Sequence, residues 1–264
     1  MKIRHFDWII PDFRYNKPFY PPQTAMSSAA YNTQLNAKIQ RLHTLLAPFG
    51  APEIEVFASA EQGYRMRAEF RIWHEGDAMS YAMFEPGSKA SSASLIKLAQ
   101  FPPAHERINA LMPRLLDALS QQDVLRHRLY QCEFLCTLSG EMLVTLIYHR
   151  KLDDDWQTAA RAISHSKIMD IDDLHDRPHE LLDDEWQKAA CTLQDALGIS
   201  IIGRSRGQKI VLREDYVTET LTVCGQTYRY RQLEGGFTQP NARVCEKMLE
   251  WACPQAEKAA CTPP

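Results

Sequence analysis

The chain has 264 residues, 45% of them hydrophobic, enough for one large domain or one domain with appendages. No run approaches the ~18 apolar residues of a membrane helix, and Asp7, Pro11 and Asp12 interrupt any secretory apolar core near the start. The net charge of −3 excludes a generic polyanion binder, and with no export signal the cytoplasm is the default compartment.

Charge is unevenly spread. Between Leu152 and Glu185 there are eleven acidic and three basic residues; the rest of the chain holds 22 acidic and 27 basic ones. A mildly basic body with one acidic excursion is compatible with selective RNA binding. The seven cysteines (Cys132, Cys136, Cys191, Cys224, Cys245, Cys253 and Cys261) are odd in number, irregularly spaced and contain no C-x-x-C pair. Reduced, mostly buried thiols are expected, and no metal site is predicted.

Taken in order, residues 1–30 are rich in aromatics and proline without periodicity, and read as an extension. From Tyr31 a helix is expected: Leu35, Ile39, Leu42, Leu45 and Leu46 form one stripe, with Pro48 and Gly50 beyond its end. Residues 53–57 alternate like a strand. The next stretch organises the rest: Tyr64-Arg-Met-Arg-Ala-Glu-Phe-Arg-Ile-Trp-His74. As a strand it turns Met66, Ala68, Phe70, Ile72 and His74 to a face that can cover a core, and Arg65, Arg67, Glu69, Arg71 and Trp73 to the other. Guanidinium groups bind phosphate bidentately, and Arg and Trp both stack on bases. The face reads either as the floor of an RNA-binding surface or as an outer strand whose arginines pair with local carboxylates.

Glu75-Gly-Asp77 signals a turn, residues 79–83 return as a hairpin partner, and residues 91–98 offer a third strand. A second amphipathic helix is expected over 104–120, with Ile108, Leu111, Met112, Leu115 and Leu119 on one side and Pro102-Pro103 at its start. Residues 129–137 and 142–149 flank Ser139-Gly140 as a hairpin, and the second of these strands lacks polar alternation, as a covered central strand does. Leu152-Asp-Asp-Asp-Trp-Gln-Thr-Ala-Ala160 then matches Leu182-Asp-Asp-Glu-Trp-Gln-Lys-Ala-Ala190 at seven of nine positions, 30 residues apart. Two copies do not make a solenoid, so a local duplication is expected, each copy an acidic cap followed by a helix. His175, Asp176 and His179 lie in the acidic linker between them, which reads as a solvated loop.

Residues 199–202 and 209–212 flank Gly203-Arg-Ser-Arg-Gly207, a basic loop without Walker spacing. Residues 221–224 and 227–231 make another hairpin around Gly225-Gln226. A helix is expected from about Asn241, with Val244, Met248, Leu249 and Trp251 apolar, and residues 253–264 do not look like an element. No G-x-G-x-x-G after a strand and no zinc signature occurs. The fold class is α+β: a largely antiparallel sheet with packed helices and a partly basic face.

Four strings together resemble the bacterial tRNA (uracil-5-)-methyltransferase family. They are residues 64–74, Tyr148-His-Arg-Lys-Leu-Asp-Asp154, Ile202-Gly-Arg204, and Phe237-Thr-Gln-Pro-Asn241 followed by Met248-Leu-Glu-Trp251. The resemblance spans roughly residues 31–253. It implies formation of 5-methyluridine in the tRNA T-loop with S-adenosyl-L-methionine as methyl donor. In that chemistry a cysteine adds to C6 of a flipped uracil and a glutamate removes the C5 proton. The family's glycine-rich E-L-Y-C-G-N-G-N-F loop, D-P-P-R motif, S-C-N-P nucleophile and late glutamate belong to a Rossmann-like domain, and none of these strings occurs here. The resemblance therefore implies the tRNA-binding half: 31–236 for RNA recognition, with 152–185 as an acidic insert, and 237–264 as the start of the methyltransferase domain. Gln239 matches the family's glutamine that contacts S-adenosylmethionine. Arg71, Tyr130 and His149 fall where the family contacts the T-loop, with Arg65 and Arg67 on the same strand. The alternatives are a catalytically inactive stand-alone RNA-binding protein or a decayed fragment. The helix after Asn241 is expected to leave an apolar side open to self-association.

Overall fold

The computed structural model describes residues 26–121, 123–149, 154–165, 199–205 and 208–260. The first helix, α1 (Ser28–Leu46), starts three residues before Tyr31, because the Ser27 hydroxyl accepts the Ala30 N–H and caps it. Its apolar stripe covers no core: none of its residues is buried, and Leu42 and Leu45 are 39% and 50% exposed. The strand expected at residues 53–57 is absent. That segment is tied to a helix instead of a sheet neighbour, since Trp251 Nε1 donates to Glu55 Oε1 and Lys247 Nζ to the Ala58 carbonyl.

Strands β1 (Arg67–Glu75) and β2 (Ala78–Phe84) form the hairpin that the turn signal predicts, with Gly76 at φ 62° in the left-handed region glycine tolerates. The third strand is shorter than expected. A 3-10 turn at Ser92–Ser94 precedes β3 (Leu95–Leu98). Helix α2 (Glu106–Ser120) starts after His105 and buries Ile108, Leu111, Met112, Leu115 and Leu119, the predicted stripe. A short α3 (Asp123–Arg126) leads into the hairpin of β4 (Leu129–Cys136) and β5 (Met142–Tyr148). Helix α4 (Asp154–His165) follows, then β6 (Ile199–Ser205), β7 (Gln208–Val211), the hairpin β8 (Tyr216–Val223) and β9 (Gln226–Leu233), and α5 (Ala242–Ala260).

Seven strands form one sheet in the order β3-β2-β1-β4-β5-β6-β7, antiparallel except for the parallel pair β5 and β6. A parallel pair needs a crossover, and the connection from β5 to β6 carries α4. The first copy of the repeat is thus a working connection: Ala159 and Ala160 are buried, small enough for α4 to pack against the sheet. The second copy, and the trio His175, Asp176 and His179, lie outside the described residues.

The core sits between the sheet's inner face and the helices. Tyr81 packs edge to face with Phe70 and Phe134, which are tilted against each other, with ring centroids 5.7–6.1 Å apart, and the Tyr81 hydroxyl donates to the Met112 carbonyl. Each such fully buried side chain stabilises by about 1.5–3 kcal/mol. A second, smaller cluster of Leu135, Leu143, Ile202 and Val217 lies under the β8–β9 hairpin on the outer face. It explains why β5 reads as covered on both sides. Helix α5 is longer than the sequence pattern implies: it runs through Pro254 to Ala260, over residues expected to be irregular.

Candidate nucleic-acid interface

The site lies on the outer face of β1 and β4. Phe70 pairs with Cys132 and Ala68 with Phe134, all four in the core, so the intervening Glu69, Arg71, Gln131 and Glu133 stand outward. The β4–β5 register shifts between Leu129 and Gln131. Leu129 and Cys132 are both buried, so Tyr130 and Gln131 occupy the outer face in succession. The bulge aims the Tyr130 ring at Arg71.

The Arg71 guanidinium carbon stands 3.7 Å from the Tyr130 ring centroid, and the His149 imidazole stacks on Tyr130 at 3.8 Å and 25°. Two groups that close cannot share one face of a ring, so the three side chains form a column with tyrosine in the middle. His149 is anchored by its backbone N–H, which donates to the Arg128 carbonyl at 3.1 Å. Arg71 Nη1 is buried and has no hydrogen-bond partner. Burial lowers the Arg71 guanidinium from its ordinary value, opposed by the Glu69 carboxylate, and it stays cationic at neutral pH. A cation held flat on an aromatic face with one donor unspent suits a phosphate oxygen or a base acceptor. Trp73, two residues on and half-buried, packs edge-on against Phe84 at 6.2 Å and donates Nε1 to Glu75 Oε1 at 3.3 Å.

The other two arginines of the opening strand divide differently. Arg67 donates Nη1 to the Gly236 carbonyl at 2.7 Å and lies 3.7 Å from Glu133 Oε2, so it locks the 234–241 loop to the sheet. Arg65 precedes β1, is exposed, and donates Nε to the Arg67 carbonyl. The column unites Arg71, Tyr130 and His149; it does not include Arg65 or Arg67. Gln239 is exposed on the same loop, next to Pro240, whose carbonyl accepts the Met66 N–H at 2.7 Å. One exposed amide does not hold a nucleoside cofactor, and Phe237 beside it is 87% exposed.

Cross-strand register places a row of outward residues across the sheet: Arg71, Gln131, Ile147, Arg204 and Lys209. Arg204 grips Glu234 bidentately, Nε to Oε1 at 2.6 Å and Nη2 to Oε2, and Lys209 lies 3.5 Å from the same carboxylate. Glu234 is 3% exposed; burial pushes its carboxyl up, but the Arg204 hydrogen bonds and charge prevail and hold it below the usual range. The Gly203–Arg204 segment is therefore part of β6 and paired, where the sequence suggests a loop; Arg206 and Gly207 lie outside the described residues. Sequence reasoning missed Glu234, since its partner is 30 residues away. Cys132 and Cys136 are buried free thiols. Burial raises the Cys132 thiol far above its ordinary value and takes Cys136 to about 12, so neither is a nucleophile. Among the described residues no cluster of three or more His, Cys, Asp or Glu is placed to hold a metal ion, and no helix is long and apolar enough to cross a membrane.

The model of the tRNA (Uracil-5-)-methyltransferase family matches residues 30–178 and 177–261. The chain belongs to this family. A tRNA/tmRNA (uracil-C(5))-methyltransferase of Neisseria meningitidis serogroup A is 53% identical over 227 residues, covering 86% of this chain and 54% of the relative. Its counterpart from Acinetobacter baylyi is 46% identical over 226 residues, again 86% and 54%. The chain thus spans about half the length of these relatives. The crystal structure of Pyrococcus abyssi tRNA (uracil-54, C5)-methyltransferase in complex with S-adenosyl-L-homocysteine matches with a TM-score of 0.50 at 13% identity, over 88% of this chain and 51% of that one. The likeness extends to the fold, and the α+β expectation holds.

Proposed function

We propose that residues 31–236 are the tRNA-recognition part of an S-adenosylmethionine-dependent tRNA (uracil-5-)-methyltransferase, and that the Arg71–Tyr130–His149 column grips the T-loop that presents U54. The observation that carries this reading is the column itself: a desolvated guanidinium 3.7 Å over a tyrosine ring, with Nη1 unpartnered. Stacking on aromatic and guanidinium planes is how single-stranded loops are held, and an unpaired loop base is the target of C5 methylation. Arg65 and Arg67 flank the column, Arg67 as a support for the loop that carries Gln239 and Arg65 as an outer charge.

Gln239 is the family's cofactor contact within these residues, and S-adenosylmethionine supplies the methyl group when bound. The chemistry needs a thiolate nucleophile and a proton acceptor, and the buried Cys132 and Cys136 do not provide the first. The family's S-C-N-P nucleophile string does not occur in these residues, so the 264 residues by themselves are expected to bind T-arm RNA and to transfer no methyl group. Incubation with unmodified tRNA and labelled S-adenosylmethionine tests the second statement; label at U54 above background overturns it. Titration of a fluorescent T-arm hairpin tests the first, and absence of salt-dependent binding removes the RNA reading altogether.

A further inference from the structure

A cavity of about 450 Å³ opens at the end of the sheet beside the column, lined by His74, Gly76, Asp77, Arg126, His127 and Arg128. The backbone joins it to the column. His74 Nε2 lies 2.7 Å from the Leu129 carbonyl, and the Arg128 carbonyl accepts the His149 N–H, so residues 128–130 run from the cavity straight into the stack. The charge within it is unbalanced. Its carboxylate, Asp77, already pairs with Arg126, Oδ1 to Nη1 at 2.7 Å, and the Asp77 carbonyl accepts from the same nitrogen. That leaves the Arg128 guanidinium, which is exposed and has no partner among the described residues.

The backbone adds an independent sign. Arg128 sits at φ 57°, one of two non-glycine residues in the left-handed region among those described. A side chain bearing a β-carbon is disfavoured there, and such strain collects at binding sites. A glycine would fit the turn more easily; the arginine supplies a charge at the mouth of the cavity. With Arg126 committed to Asp77 and His74 Nε2 to the Leu129 carbonyl, Arg128 is the cation this concave site offers to a tetrahedral oxyanion.

We propose that this cavity binds a backbone phosphate of the RNA, next to the nucleotide held by the Arg71–Tyr130–His149 column, with Arg128 as its principal cation. The proposal rests on the RNA reading above and extends it to a second anchoring point. A stacking contact fixes a base in place; a phosphate contact one step away fixes the direction of the strand.

The test is anisotropy titration of a T-arm hairpin at several salt concentrations, with the 264-residue chain and its Arg128→Gly and Arg128→Lys variants. Glycine removes the charge without straining the turn, so the thermal midpoint is expected not to fall. Arg128→Gly is expected to weaken binding about tenfold at low salt and to make the slope of log K against log salt shallower by about one. Arg128→Lys is expected to recover most of the affinity. A single methylphosphonate, placed in turn at each loop phosphate, is expected to weaken the parent chain at one position and to leave Arg128→Gly unaffected there. Unchanged affinity and slope in Arg128→Gly, while Arg71→Ala binds poorly, overturns the phosphate pocket and leaves the RNA reading standing. Absence of binding by the parent chain overturns both. A third arm separates the sources of phosphate: inorganic phosphate that perturbs the His127 resonances in the parent but not in Arg128→Gly, with RNA affinity equal in the two, assigns the cavity to a free anion and overturns the RNA contact.

Discussion

Arg71 and Arg204 occupy the same transverse row of one sheet, three strands apart, and they do opposite things. Arg204 is held by a carboxylate that is itself 3% exposed, and both of its bonded nitrogens are spent on Glu234. Arg71 has no carboxylate in hydrogen-bond reach; it lies on Tyr130 and keeps Nη1 unspent. Both side chains are Arg on a strand facing outward. The difference lies in what folds against them: the β9–α5 loop brings Glu234 over β6, whereas a bulge in β4 brings an aromatic ring to β1. The first cation is committed to the fold. The second is desolvated in advance and available to a ligand, which lowers the ordering required on binding.

The contrast can be broken from either side. The largest effect is expected at Glu234. Glu234→Ala leaves Arg204 and Lys209 without their shared carboxylate and should lower unfolding free energy by about 2–3 kcal/mol, measured by urea denaturation at neutral pH. Arg204 is 41% exposed, so water takes over part of its solvation and keeps the loss below that of a fully buried pair. The sign with pH follows from a carboxyl held below its usual value. Its stabilisation is present above the ordinary carboxylate range and is lost as pH falls through the lowered value, so parent and variant should converge in acid.

Arg71→Ala should do the reverse: about 1–3 kcal/mol weaker T-arm binding, with stability changed by less than about 0.5 kcal/mol. Unchanged binding at low salt takes Arg71 out of the site. Loss of stability comparable to that of Glu234→Ala erases the distinction between the two arginines.

A second carboxylate sharpens the comparison. Glu219 is fully buried but, unlike Glu234, forms no ion pair: Oε1 accepts the Leu138 and Thr220 N–H groups, and Oε2 has no partner. Burial raises its carboxyl above the usual value, against those two backbone bonds. Here the folded state loses stability as pH rises from the ordinary value towards the raised one. Glu219→Gln keeps the Oε1 contacts and removes the ionisation, so it should be more stable than the parent by on the order of 1 kcal/mol at neutral pH, and the gain should vanish in acid. A gain independent of pH refutes the assignment. The smallest effect is expected from Arg65→Ala. Its guanidinium is exposed and bonded to its own strand's backbone, and the T-arm affinity should change by less than about 0.5 kcal/mol.

The opening strand was the most legible part of the chain. Strict alternation over residues 67–73 fixes which side chains meet the core, and the α2 stripe does the same at helical spacing; in both, the burial follows the pattern residue by residue. Legibility failed where an element's partner is distant. Residues 53–57 alternate like a strand but lie against α5, and the α1 stripe covers no core. Proline at 254 suggests irregular chain, yet α5 continues through it. Met248, Leu249 and Trp251 on that helix are 41–46% exposed, as its unmatched apolar side implied.

Periodicity and the four family strings settle the α+β class, the inward and outward faces of β1, and the family itself, because alternation and motif order are local properties of a chain. The fates of the outward arginines are not local. Arg65, Arg67 and Arg71 have the same spacing and the same chemistry, and only the register with β4, the bulge at Tyr130 and the return of the 234–241 loop separate an outer charge, a structural clamp and a stacked cation. A guanidinium's role depends on which groups reach it first: for Arg65 that group is local, and for Arg71 and Arg67 the groups come from β4 and the 234–241 loop, far along the chain.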